Sequence, residues 1–169
     1  MMGWDYHRKG VDLAIKAVQS LQEKYPITLQ IIGGINEEAV KALVRQITGG
    51  EPAWIRYLPA TNNVGTYYYA NDIFLSPSRR EAFGYANIEA AYCKNSIVLS
   101  KVDGQGELQI EGAHWFESEN LEDLQNCLEK AILELGTPET DARKERVRQQ
   151  VQQKYSLEAW SKKVAEMLE

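Results

Sequence analysis

Ile73-Phe74-Leu75-Ser76-Pro77-Ser78-Arg79-Arg80-Glu81-Ala82-Phe83-Gly84-Tyr85-Ala86-Asn87-Ile88-Glu89 changes character twice within one short stretch. It begins as an apolar run, passes through a turn rich in hydroxyls and arginine, and reopens near Gly84 as a helix. A buried strand that feeds a helix through a tight turn is the opening of a βαβ unit. The first amides of such a helix have no partner within it and lie at the positive end of its dipole, so the mouth suits an anion. Glu81 stands in the turn, and Glu89 about a turn and a half into the helix. Two carboxylates beside an anion-binding mouth suit a ligand that carries phosphate in one part and hydroxyls in others.

The same alternation recurs on either side. Val11 to Lys24 carries a helical stripe of Val11, Ile15, Val18 and Leu21, and Ile27 to Ile32 is a short strand closed by Gly33-Gly34. Glu37 to Ile47 is helical, Trp54 to Leu58 a strand, and Val64 to Ala70 a short helix. After the strand Ile73 to Leu75 and the helix Tyr85 to Cys93 come a strand at Ile97 to Leu99, a short segment near Gly106 to Ile110, and a last strand at Trp115-Phe116. Leu121 to Leu135, Thr140 to Gln153 and Leu157 to Leu168 close the chain as helices. Short apolar strands alternating with helices predict an α/β fold, a doubly wound parallel sheet with helices on both faces and right-handed crossovers. Ligands of such a sheet bind at the carboxyl ends of its strands. Met1-Met2-Gly3-Trp4 leaves little room for a strand before the first helix, so the first strand is expected to be truncated and the chain to start inside a larger protein.

Bulk composition narrows the function. The chain has 169 residues, 44% hydrophobic and 25% charged, which is one globular domain over 1–169 with a sizeable core. A net charge of −5 argues against a general nucleic-acid surface. No apolar run approaches the roughly 18–20 residues of a membrane span, and Met1 opens no secretory signal. Cys93 and Cys127 fall inside helical patterns and read as buried thiols of a reduced compartment, hence a cytoplasmic protein. His7 and His114 lack the spacing of a metal site. Neither a P-loop nor a Gly-x-Gly-x-x-Gly follows a strand, and no Gly-x-Ser-x-Gly surrounds Ser76 or Ser78, which read as turn and cap hydroxyls.

Other pieces fall at the expected ligand edge. Arg8 and Lys9, just before the first helix, could neutralise a diphosphate, Arg8 through its fork and Lys9 as a point charge. Gly33-Gly34 ends a strand and could admit close backbone approach. Gly104-Gln105-Gly106-Glu107 follows another strand end and could offer a second set of free amides. Each piece has a plainer alternative. Glu81 could favour the helix dipole, Glu89 could be a solvated helix residue, Arg8-Lys9 a solvated turn, and the glycine pairs tight turns. Tyr67-Tyr68-Tyr69 reads as the core and surface of a short amphipathic helix, Trp54 and Trp115 as core strand residues, and Trp160 as a helix-packing anchor. The joint occurrence of Ser-Pro-Ser, Phe-Gly and the two carboxylates favours ligand binding over these.

Taken together, the pieces resemble the C-terminal donor-binding domain of family-4 (group 1) retaining glycosyltransferases of the GT-B fold. The resemblance runs through Trp4-Asp5-Tyr6-His7-Arg8-Lys9-Gly10-Val11-Asp12, Leu29-Gln30-Ile31-Ile32-Gly33-Gly34 and Tyr69-Ala70-Asn71-Asp72-Ile73-Phe74-Leu75-Ser76-Pro77-Ser78. It continues through Glu81-Ala82-Phe83-Gly84 to Glu89-Ala90 and Tyr155-Ser156-Leu157-Glu158-Ala159-Trp160. The Ser-Pro-Ser turn with the E-x7-E pattern is its specific part. The resemblance implies a nucleoside-diphosphate sugar as substrate, with no cofactor and no metal. Lys9 would contact the diphosphate; Glu81, the catalytic residue, would bond sugar hydroxyls with help from the amides at Phe83-Gly84; and Glu89 would hold the ribose. Gly33, Gly34 and the Tyr57-Leu58-Pro59 loop would surround the base, and Gly104 would complete the donor site. Trp4 stands where many members carry arginine, so Arg8 would supply that charge. The acceptor, which the sequence does not identify, would bind a separate N-terminal GT-B half. This chain alone is then expected to bind donor without transferring the sugar, as part of an enzyme attached peripherally to a membrane. The rival expectation is a non-catalytic interaction subunit with the same fold.

Overall fold

The computed structural model describes residues 5–33 and 37–168, so Trp4 and Gly34 lie outside the described residues. The elements follow the expected alternation: α1 (Val11–Leu21), β1 (Leu29–Ile32), α2 (Glu37–Thr48), β2 (Ile55–Leu58), α3 (Gly65–Tyr69), β3 (Ile73–Ser76) and α4 (Tyr85–Tyr92). Then come β4 (Ser96–Lys101), a 3₁₀ turn (Asp103–Glu107), β5 (His114–Glu117), α5 (Leu121–Leu133), α6 (Pro138–Tyr155) and α7 (Leu157–Leu168). Helix α6 starts ahead of the expected Thr140. Thr137 caps it by accepting from the Thr140 N–H, and Pro138 takes the first turn, where its missing donor does no harm.

Every strand pairing is parallel. Leu29 lies opposite Ile55 in β1–β2, Phe74 opposite Ile97 in β3–β4, and Leu99 opposite Trp115 in β4–β5. The sheet differs from the expected single one in coming as two pieces, β1–β2 and β3–β4–β5. Among the described residues no ladder joins β1 to β3. The segment before α1, residues 5–10, is folded into turns rather than extended, so it lays no strand between them. A side-chain bond spans the break instead, with Asn71 Nδ2 donating to Gln30 Oε1 at 3.1 Å.

Strand alternation sets the layers, because successive side chains of a strand face opposite sides. On β3 and β4, Leu75 and Val98 join α1, α2 and α5 in one core, around fully buried Ile15, Val44 and Leu124. Phe74, Ile97 and Leu99 join α3, α4 and α6 in the other, with Tyr68, Ile88, Val147 and Val151. Helices therefore cover both faces, as the strand pattern predicts. Trp54 precedes β2 and is half-buried against the first core, while Trp115 on β5 packs on the second. Both cysteines are free and half-buried rather than fully buried.

Candidate functional site

The carboxyl end of β3 runs into buried Pro77 and Ser78 and then turns toward α4. The turn is pinned from beneath: Ser100 Oγ donates to the Ser78 carbonyl at 2.6 Å, and Gln105 Nε2 to Ser76 Oγ at 3.0 Å. Arg79 ties this turn to the basic loop ahead of α1. Its N–H donates to the Arg8 carbonyl at 2.8 Å and its Nη1 to the His7 carbonyl at 2.7 Å. Its guanidinium also grips Asp12 in bidentate fashion, with both bonds at 2.8 Å, and reaches Glu119 at 2.9 Å. Burial alone would raise the Asp12 carboxyl; the bonds and charge of Arg79 outweigh it and hold the group below its ordinary value of 3.8. The hydrogen bond to Asp12 is the main cause that pushes the Arg79 guanidinium further up.

Glycine lets three backbone segments meet here. A Cβ on Gly10 would stand 1.9 Å from the Pro77 carbonyl oxygen, and φ is +66°. A Cβ on Gly104 would stand 1.4 Å from the Ala82 carbonyl oxygen, and the Gly104 N–H donates to the Glu81 carbonyl at 3.1 Å. The consequence is a contact across 72 residues of sequence: Lys9 Nζ bonds Glu81 Oε2, with 18% and 13% of the two side chains exposed. Beside this pair, Gly84 caps α4 in the left-handed region with φ +82°, and no side chain caps the helix. Its N-terminal end is thus left for an anion to satisfy.

The expected residues divide accordingly. Lys9, Glu81, Gly84 and Gly104 are brought together, and Arg8 is next to them, its Nη1 donating to the Arg80 carbonyl at 3.4 Å and its Nε facing Asp5 at 3.6 Å. Gly104 differs from the expectation of free amides: its N–H is already engaged by Glu81, so it holds that backbone instead, and the Gly106 N–H is likewise bonded to the Val102 carbonyl at 3.2 Å. The Phe83 ring stacks edge-on against Tyr85 at 5.1 Å and Tyr155 at 6.1 Å, which leaves its main chain to face a ligand. Glu89 is exposed on α4 and makes no contact with Glu81 among the described residues. Tyr68 Oη donates to Glu89 Oε2 at 3.0 Å, beside a cavity of about 540 Å³ lined by Val64, Gly65, Ile88 and Tyr92. Burial first, then the charge of Glu89, pushes the Tyr68 hydroxyl up, so it stays a donor. Gly33 closes β1 with φ +139° and donates to the Leu58 carbonyl at 3.1 Å, away from the Lys9–Glu81 contact.

Sequence reasoning missed Arg79, Asp12, Gly10 and Tyr68 as members of the site. Asp12 in the first turn of α1 is legible as a helix-dipole acid, but nothing in the sequence pairs it with Arg79. The tyrosine run read as core; Tyr68 is buried, yet its hydroxyl reaches the functional helix.

The profile of the Glycosyl transferases group 1 family matches residues 1–154. The chain belongs to this family. A group 1 relative, the human phosphatidylinositol N-acetylglucosaminyltransferase chain, is 32% identical over 133 residues, 76% of this chain and 27% of the relative. The crystal structure of a glycosyltransferase from Rickettsia africae superposes with a TM-score of 0.82 at 23% identity, over 95% of this chain and 44% of that one. Anabaena HepE, solved with UDP and glucose, gives 0.78 at 23% identity, over 95% and 45%. The chain thus spans about a quarter of the human relative and under half of these solved structures. Its fold is that of one GT-B half, as the sequence resemblance implied.

Proposed function

We propose that this group 1 chain is the donor-binding half of a retaining glycosyltransferase and holds a nucleoside-diphosphate sugar across the mouth of α4. The observation that carries the reading is the Lys9–Glu81 contact at the uncapped start of that helix. A diphosphate would draw the Lys9 ammonium and lie on the α4 dipole, with Arg8 alongside. Glu81, relieved of Lys9, would accept bonds from the sugar hydroxyls. Glu89, exposed and steadied by Tyr68, suits the ribose hydroxyls beside the 540 Å³ cavity. In such a site the protein positions the donor and stabilises charge on the departing diphosphate. The acceptor side would come from an amino-terminal half, and the two free thiols agree with a reducing, cytoplasmic setting. No helix among the described residues is long and apolar enough to cross a membrane.

Titration calorimetry of the chain against UDP, GDP and ADP tests the reading. Binding of at least one is expected, weakened roughly tenfold or more in Lys9→Met, since a hydrogen bond to a charged group contributes about 1.5–3 kcal/mol. Absence of heat with all of these at millimolar concentration, from folded protein, would overturn it.

A further inference from the structure

Asn87 is the third residue of α4, 1% exposed, and neither its Nδ2 nor its Oδ1 has a hydrogen-bond partner. A buried amide left this way is destabilising, so its retention calls for a partner that arrives in another state of the site. The position of the side chain shows which one. At the spot where a Cβ on Gly84 would sit, Asn87 Nδ2 is 2.3 Å away and Glu81 Cγ 3.4 Å away. The amide and the Glu81 side chain therefore flank the same bare glycine at the uncapped helix mouth. Only a side chain at residue 84 could separate them, and Gly84 has none. In this structure the Glu81 carboxylate is turned to Lys9.

We propose that Asn87 is a positioning residue for Glu81. When an anionic ligand draws Lys9 away, rotation of the Glu81 side chain brings its carboxylate onto Asn87 Nδ2, which donates to one oxygen and leaves the other facing the ligand's hydroxyls. An isolated half-buried carboxylate would otherwise lose its only counter-group at the moment it is needed. The inference rests on the reading of Lys9 and Glu81 as ligand-binding groups and adds the residue that keeps Glu81 aimed once Lys9 has left.

Removal of Lys9 by mutation imitates its departure, so the coupling can be measured without any ligand. Asn87→Leu keeps the side chain's branched shape and removes both unpartnered atoms. In the otherwise unaltered chain it is expected to leave the urea unfolding midpoint unchanged or to raise it. In a Lys9→Met background, where Asn87 holds Glu81, the same change is expected to lower the folding equilibrium constant about tenfold, and adding Glu81→Gln should shrink that loss. Lys9→Gln serves as the background if Lys9→Met does not fold. Equal effects of Asn87→Leu in both backgrounds would overturn the proposal. Calorimetry gives a second readout: Asn87→Leu should leave UDP affinity unchanged and weaken UDP-glucose severalfold. An equal change for both ligands would also overturn it. A failure of the unaltered chain to bind either ligand would count against the donor-site reading, while the ligand-free cycle would still decide the role of Asn87.

Discussion

Gly104 and Gly106 lie in one turn, two residues apart, and the structure assigns them opposite sensitivities. An alanine at 104 puts a methyl 1.4 Å from the Ala82 carbonyl oxygen, 2.1 Å from its carbon and 2.6 Å from the Glu81 oxygen. All of these are main-chain atoms, so no side chain can swing aside, and the turn must move away from Glu81–Ala82. The move stretches or breaks the Gly104 N–H bond to the Glu81 carbonyl, 3.1 Å long in the native chain. Overpacking of this kind costs about 1–3 kcal/mol, and the lost bond about 0.5–1.5 more. For Gly104→Ala we therefore expect a loss of about 2–4 kcal/mol, a fall in melting temperature of roughly 4–16 °C for a chain of this size. At Gly106 a methyl meets nothing within 4 Å. Gly106→Ala should lie between neutral and about 1 kcal/mol stabilising, through the lower entropy of its unfolded chain. Urea denaturation and calorimetric melting of both variants measure the contrast. Because Gly104 props the backbone of Glu81, its variant should also lose nucleotide affinity while the Gly106 variant retains it. Midpoints for the two that agree within the error of the fits would refute the idea that close backbone approach shapes this mouth.

Other outcomes follow from the same geometry. Arg79→Met should destabilise by about 2–3 kcal/mol, since it strands the half-buried Asp12 carboxylate, and denaturant melts will show it. Because the Asp12 carboxyl is held below 3.8 in the folded state, its contribution is full at pH above about 5 and is lost as pH falls through the depressed folded value. The Arg79 variant should therefore show a shallower loss of stability on acidification. Tyr68→Phe should cost about 1 kcal/mol and weaken UDP binding severalfold by loosening Glu89, whereas unchanged affinity would detach Tyr68 from the site. Burial is the main cause that pushes the Cys93 and Cys127 thiols up, so alkylation by iodoacetamide at pH 7 should run slower than for a free cysteine and quicken above pH 9.

The architecture was legible because its signals are local. Strand Ile73–Ser76 announces itself by an apolar run, and α1 by its stripe at Val11, Ile15, Val18 and Leu21. Helix ends were less so: α1 stops at Leu21 rather than Lys24, since the apolar stripe ends there and the following residues are turns. The break in the sheet was half-legible. The crowded start of the chain signalled a missing strand, but only the pairing of β1 with β2 alone shows that its neighbours leave the place open rather than closing together. At the site, Lys9 and Glu81 could be named from residue type and setting, yet their contact depends on Gly10 and Gly104. A glycine in the sequence does not say which carbonyl will lie against it. The same limit hid Asn87, whose isolation is a property of its surroundings and not of its spacing.

The two ion pairs that join the α1 end of the molecule to the β3–α4 turn differ in a way that bears on their roles. Arg79 engages Asp12 through two bonds and adds the His7 carbonyl and Glu119, so its donors are well used and its geometry is fixed. That is a structural clamp. Lys9, with three donors, makes one bond to Glu81 and no other side-chain bond among the described residues. A half-buried pair with so little support gains little net stability, because desolvation offsets its attraction. Its place at the uncapped start of α4 makes sense if the ammonium is meant to be exchanged. A diphosphate offers it more charge than one carboxylate, and the same exchange frees an acceptor for hydroxyls. The rigid clamp then has a purpose too: it keeps the exchangeable lysine within reach of that carboxylate across 72 residues of chain.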